Sequence, residues 1–340
     1  MIVTRLDGGL GNQMFQYAFG LYLATKHATQ LALDLSAYQT GPQHGYMLDR
    51  FQISVTKLDQ LFSQRIPKRY RTVASNWLPD WLRLNVLRRV KERPFGFHAK
   101  YLKSSDNRYL VGYWQSEKFF PGLRDELLKQ FTPVADLSDA SQRVIGCMQS
   151  APSISLHIRR GDYVSNAATA QIYEQLSLEY YRTSLQRFVD RHEHVQVFVF
   201  SNDLPWCREH LRLSSPTHFV DHTRGHSAHE DLVMMSHAAC NVIANSTFSW
   251  WAAYLNNRDD RTAYAPARWF RPGTLNGEHL LNPAWQVIDA AQSDETTRGD
   301  AGSAGSLSAR VTHGKAHANH SGSHLPDATI KEHSNVKRAA

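Results

Sequence analysis

Cys240-Asn-Val-Ile-Ala-Asn-Ser-Thr-Phe-Ser-Trp-Trp-Ala252 is the stretch on which the fold turns. Residues 240–244 read as a short, mostly apolar strand, and the polar turn from Asn245 opens a helix. The same unit recurs outward from it. Upstream, residues 228–239 read as a helix after Ser227, with Glu230 at capping-box spacing. Downstream, residues 262–265 read as another strand. Further out, residues 154–158, 195–200 and 217–220 read as strands, with a helix over 177–192 and a short one after Asp203. Short apolar strands alternating with amphipathic helices predict a doubly wound parallel sheet. The start of the chain has the same pattern: a strand over 2–6, the turn Asp7-Gly-Gly-Leu-Gly-Asn12, a helix over 13–26 and a strand over 31–34. Between 49 and 149 the pattern is weaker, with helical stretches and one short strand over 109–112.

In an open parallel sheet, ligands bind beyond the carboxyl ends of the strands. Four polar clusters fall there: Gly8 to Asn12, His157 to Tyr163, Ser201 to Asp203 and Asn245 to Ser249. The glycine turn lacks the Gly-x-Gly-x-x-Gly spacing of dinucleotide folds, and no Walker A lysine pattern exists. It predicts backbone close to a ligand, with Asn12 beside it. In His157-Ile-Arg-Arg-Gly-Asp-Tyr163, strand alternation sends His157 and Arg159 to one side and leaves Arg160 at the tip. Guanidinium forks there suit phosphate, although a structural pair of Arg160 with Asp162 also fits. Asn245 to Ser249 opens a helix whose N–H groups and hydroxyls suit an anion, or are simply capped by Asn245 or Ser246. Trp250 and Trp251 are expected in the core. Glu230 is explained by capping better than Asp231, whose carboxylate can accept paired hydrogen bonds from a guanine. No two aspartates stand two positions apart, so no Asp-x-Asp motif holds a metal-bound sugar nucleotide. A phosphate leaving group then depends on arginine or a helix end.

These four segments, in this order, resemble the α-1,2-fucosyltransferases of glycosyltransferase family 11 over residues 2–290. The resemblance implies a GT-B-like α/β fold: two Rossmann-type domains with a cleft between them. On this reading residues 1–150 form the acceptor side, 151–290 bind the donor, and 291–340 are a disordered tail. The implied reaction is a metal-independent, inverting transfer from GDP-β-L-fucose to the 2-hydroxyl of galactose on an oligosaccharide or lipid-linked glycan, with no cofactor. Carried over residue by residue, the donor pyrophosphate lies against Arg159, with His157 beside it, Arg160 and Asp162 near, and Asn12 facing the same cleft. Gly9, Gly11, Asp203, Asn245 and Ser246 join the donor site. Comparison with α-1,6- and protein O-fucosyltransferases adds Asp231 for guanine and Thr247 to Ser249 for phosphate. The base is left open among Asp162, Asp7 and Asp203. A fucosyltransferase of another linkage and a non-catalytic glycan- or anionic-surface-binding protein are the competing readings.

Composition frames these readings. The 340 residues carry +7 overall, but twelve Lys and Arg against Asp59, Asp80 and Glu92 put +9 into residues 57–103, leaving −2 elsewhere. Within it, residues 77–93 have roughly helical spacing, fitting either a surface helix with its basic side in water or one meeting anionic lipid, charged glycan or nucleic acid. No nucleic-acid module is visible, so the excess is expected to rest on the inner membrane face. Cys147, Cys207 and Cys240 form neither a disulfide scaffold nor a zinc pattern. No span of eighteen apolar residues and no signal peptide is seen, which predicts the reducing cytoplasm. The last fifty residues hold no Phe, Tyr or Trp, and their scattered histidines are assigned no metal site.

Overall fold

The fold comes from a computed structural model and is described for residues 1–38, 45–53, 55–57, 87–161, 163, 166–221 and 228–289. Two fully parallel sheets organise them. The first contains β1 (Ile2–Arg5), β2 (Leu31–Asp34), β3 (Thr56–Lys57), β4 (Arg88–Lys91) and β5 (Arg108–Val111), in the order β3-β2-β1-β5-β4. The second contains β6 (Ser153–Ile158), β7 (Gln196–Ser201), β8 (Thr217–Phe219), β9 (Cys240–Val242), β10 (Thr262–Pro266) and β11 (Gln286–Ile288), in the order β11-β10-β9-β6-β7-β8. Its first three strands run outward one way from β6 and its last three the other way. That is the Rossmann order, and it leaves a crevice between the ends of β6 and β9. The first sheet reverses likewise between β1 and β5. The α/β fold with two parallel sheets agrees with the sequence reading.

Helices join the strands: α1 (Leu10–Lys26), α2 (Arg124–Gln130), α3 (Asp139–Ser150), α4 (Ala167–Ile172), α5 (Leu178–Val189), α6 (Leu204–His210), α7 (Ala228–Ser236) and α8 (Thr247–Leu255). α1 begins three residues earlier than the sequence suggests, because Gly9 caps it in extended conformation (φ −74°, ψ 176°) and Gly8, at φ +83°, makes the sharp turn before it. α8 is buried from Ser249 to Leu255, as expected of a helix apolar nearly all round. It packs against α1, with the Phe15 ring centroid 4.5 Å from Trp250 and 5.0 Å from Trp251. One apolar cluster therefore runs from the first sheet through α1 and α8 into the second half of the chain. Trp250 and Trp251 are both core residues, as read.

Two sequence expectations are corrected. Residues 88–91 are not helix but a strand that, among the described residues, pairs only with β5 and lies at the sheet edge, its charged residues blunting that edge. Their apolar spacing came from Val90 and flanking residues; residues 77–86 lie outside those described. The region from 49 to 149 holds the strands β3 and β4 besides the helical stretches, α2 and α3 among them, and the one strand expected there. Arg160 pairs with Asp203, Nε to Oδ2 3.7 Å; the pair with Asp162 falls on a position outside the described residues. The proposed Ser227 box and the tail from 290 onward also lie outside them. Glu230 accepts hydroxyl hydrogens from Ser138 (2.7 Å) and Ser141 at the start of α3. Those bonds hold its carboxyl below the usual carboxylate range against the opposing effect of burial. All three cysteines are free.

Candidate active site at the paired strand crevices

The glycine turn places the N-terminus of α1 directly against that of α8. A Cβ on Gly11 would lie 2.5 Å from the Thr247 carbonyl carbon and 2.7 Å from the Phe248 nitrogen, so glycine is required for the approach. Trp251 Nε1 donates to the Gly11 carbonyl at 3.0 Å and locks it. Asn12 Oδ1 accepts from Thr247 Oγ1 at 3.1 Å and from Gln115 Nε2 at 2.7 Å, joining the loops after β1, β5 and β9. Gln13 and Gln16 hold the turn from behind. Gln13 donates to the Gly8 and Gly45 carbonyls, and Gln16 accepts the Asp7 N–H while donating to the Gly112 carbonyl.

A cavity of about 130 Å³ opens at this junction, lined by Gly9, Gly11, Asn12, Arg159, Ser246 and Thr247 among others. The crevices of both sheets thus converge on one space. α1 has no side-chain cap at Gly9, while Ser246 caps α8 by accepting the Phe248 N–H at 3.3 Å. Two positive helix ends and one guanidinium facing a single cavity make an anion site. Arg159 stands 5.8 Å from the Tyr163 ring centroid, and Tyr163 stacks on Tyr173 at 4.8 Å. Both tyrosines line the cavity with Met47, Phe248 and Trp269.

Seven sequence-named residues meet there: Gly9, Gly11, Asn12, Arg159, Asn245, Ser246 and Thr247. Several sequence-named residues, Asn245 among them, spend their polar groups on other partners. The Arg160 guanidinium lies 3.7 Å over the Trp206 ring beside Asp203. Asp203 also caps α6 by accepting the Trp206 N–H at 3.3 Å. Asn245 spends its amide on the Glu174 and Trp269 carbonyls, at 2.6 and 2.8 Å, holding two lining loops in place. Ser249 is buried and turns its hydroxyl back to the Ala244 and Ser246 carbonyls. Asp231 lies in the first turn of α7 and is not part of the lining. His157 is 5% exposed, and its Nδ1 has no hydrogen-bond partner among the described residues. Burial, then the Arg159 charge, pushes its pKa down to about 3, so the ring is neutral.

Sequence reasoning missed Gln115, Met47, Tyr173 and Trp269 as site residues. They stand in segments with no local pattern, whereas Tyr163 and Phe248 were within quoted motifs. Among the described residues, no group of three or more His, Cys, Asp or Glu is placed to hold a metal ion. No described helix is long and apolar enough to cross a membrane.

Comparison with known proteins completes the description. The family profile described as Glycosyl transferase family 11 matches residues 1–289. The chain is 35% identical over 295 residues to an Escherichia coli α-1,2-colitosyltransferase, covering 85% of this chain and 99% of that protein. It is 30% identical over 300 residues to the Escherichia coli O-antigen biosynthesis glycosyltransferase WbnK, covering 82% and 98%. Mouse galactoside 2-α-L-fucosyltransferase Sec1 is 28% identical over 313 residues, covering 88% and 77%. Among solved structures, fucosyltransferase NodZ from Bradyrhizobium aligns with a TM-score of 0.45 at 16% identity, covering 74% of this chain and 91% of that one.

Proposed function

The chain belongs to glycosyltransferase family 11, and from that premise we propose that it transfers L-fucose from GDP-β-L-fucose to the 2-hydroxyl of a terminal galactose, without a metal ion. The observation that carries this reading is the convergence of Arg159 with the N-termini of α1 and α8 on one cavity. As the C1–oxygen bond of the donor breaks, its electron pair goes to the β-phosphate of GDP. A bidentate guanidinium and N–H groups at two helix ends stabilise that charge, at about 3–4 kcal/mol per well-placed donor. The acceptor oxygen bonds to the opposite face of C1, inverting the centre, and its proton passes to water or to the departing GDP phosphate. Asp203 is poorly suited to take that proton, because its carboxylate is held by Arg160 and the Trp206 N–H.

Incubation with GDP-L-fucose, EDTA and a galactoside panel, followed by NMR of the product linkage, tests the reading. An α-1,2-fucosyl galactoside formed in EDTA is the expected result. Activity lost in EDTA and regained with Mn²⁺ would refute the metal-free part. The 35% identity to a colitosyltransferase favours a second reading, colitose as the donor sugar, so GDP-colitose belongs in a parallel arm.

The similarity to WbnK supports an O-antigen or other lipid-linked glycan as acceptor. Assembly of such an acceptor at the cytoplasmic face of the inner membrane gives the basic segment a role in peripheral contact. Arg88 stands directly opposite Arg108 across the β4–β5 pair, a like-charge contact that an anionic partner would relieve. Flotation with liposomes checks this: Arg88→Ser with Arg89→Ser should reduce binding to anionic vesicles, and binding independent of anionic lipid would remove the idea.

A further inference from the structure

Asn12 lies where the two sheets' loops meet, and two neighbours bear on which end of its amide a ligand encounters. Its Oδ1 accepts from Gln115 Nε2 at 2.7 Å and from Thr247 Oγ1 at 3.1 Å. An amide oxygen carries two lone pairs. Both are occupied, so the NH₂ group is the end left for the cavity that Asn12 lines. Gln115 is 3% exposed and follows directly on the turn leaving β5. Trp114 in that turn has φ +55°, a left-handed conformation that a bulky residue keeps only when its surroundings enforce it. Glu92, following β4, supplies the enforcement by accepting the Tyr113 and Trp114 N–H groups at 2.6 and 3.0 Å. Gly112 admits that carboxylate, since a Cβ there would lie 2.7 Å from Glu92 Oε2. The Trp114 ring is fully buried beside it.

We propose that Gln115 is a positioning residue for the donor: it turns the Asn12 amide so that NH₂, not oxygen, meets a phosphate oxygen of the nucleotide sugar. The inference rests on the donor reading above. An anion tells the two ends apart, because N–H attracts it and C=O repels it. A Gln115 that merely filled space would be replaceable by any side chain of its size.

GDP affinity by calorimetry on the full chain separates these cases. Gln115→Met keeps the volume and removes the hydrogen bond; it should weaken GDP binding about threefold. Gln115→Glu replaces the donor with an acceptor, so Asn12 must turn its NH₂ inward and present oxygen; the loss should reach about 30-fold. In an Asn12→Ala background the same Gln115→Glu change should cost no more than about threefold, since nothing is left to turn. A Glu variant as tight as the Met variant overturns the inference, and so does an equal Glu penalty with and without Asn12. Where Gln115→Glu does not fold, the cycle of Asn12→Ala with Gln115→Met decides: reduced cost in combination supports the inference, and additivity overturns it. Wild-type protein that binds no GDP removes the donor reading and this inference with it. Wild-type binding with an unaffected Gln115→Glu removes this inference alone.

Discussion

Arg159 and His157 sit two residues apart and are predicted to respond to substitution in different ways. Arg159 acts through the planar fork that two phosphate oxygens can share, which one ammonium does not reproduce. Arg159→Lys should therefore lower kcat/KM for the donor by about 100-fold or more with little change in melting temperature. Steady-state kinetics beside a thermal melt checks this, and near-normal turnover in Arg159→Ala would remove the residue from the site. His157 enters through proton linkage. Folded, it stays neutral down to about pH 3; unfolded, it takes a proton below its ordinary value of 6.5. The unfolded chain binds more protons between those values, so stability falls as pH drops through that window. His157→Gln should flatten the decline measured by denaturant titration between pH 6.5 and 5. A decline as steep as in the wild type would place the linkage on other groups.

At the level of elements, the α1–α8 contact is the joint that makes the cavity. Alanine normally stabilises a helix relative to glycine by about 1 kcal/mol. At position 11 the sign should reverse, because the added Cβ would lie 2.5 Å from Thr247 backbone. Gly11→Ala is expected to cost about 1–3 kcal/mol in urea unfolding and to weaken GDP binding as the two helix ends separate. The β4 edge carries the opposite lesson about reading elements. Arg88-Arg-Val-Lys91 has no long apolar alternation of its own, and only its register with β5 makes it a strand. The strands of the second sheet were legible because burial on both faces writes continuous apolar runs, as at Val197 to Phe200.

For the whole molecule, the apolar cluster shared by the two sheets sets the cooperativity. Phe15, Phe120 and Phe131 from the first half pack on Trp250 and Trp251 from the second. Unfolding followed by tryptophan fluorescence and by far-ultraviolet circular dichroism should give coincident transitions. Residues 151–289 produced alone should expose those two indoles and bind ANS; a fragment with native-like stability and no dye binding would show that the halves fold independently. The sequence by itself determined the strand–helix alternation, the parallel sheets and the four polar turns at strand ends. Hydrophobic period and turn chemistry act over a few residues and can be read there. Tertiary structure alone decided which polar groups face the cavity and which are spent inside the protein. The Arg160 backbone N–H finds its acceptor, Asn202 Oδ1, 42 residues away, and Asn12 takes its donors from 103 and 235 residues away. Partners at such separations leave no local pattern, so only the folded chain, by bringing them within hydrogen-bonding distance, assigns each residue its task.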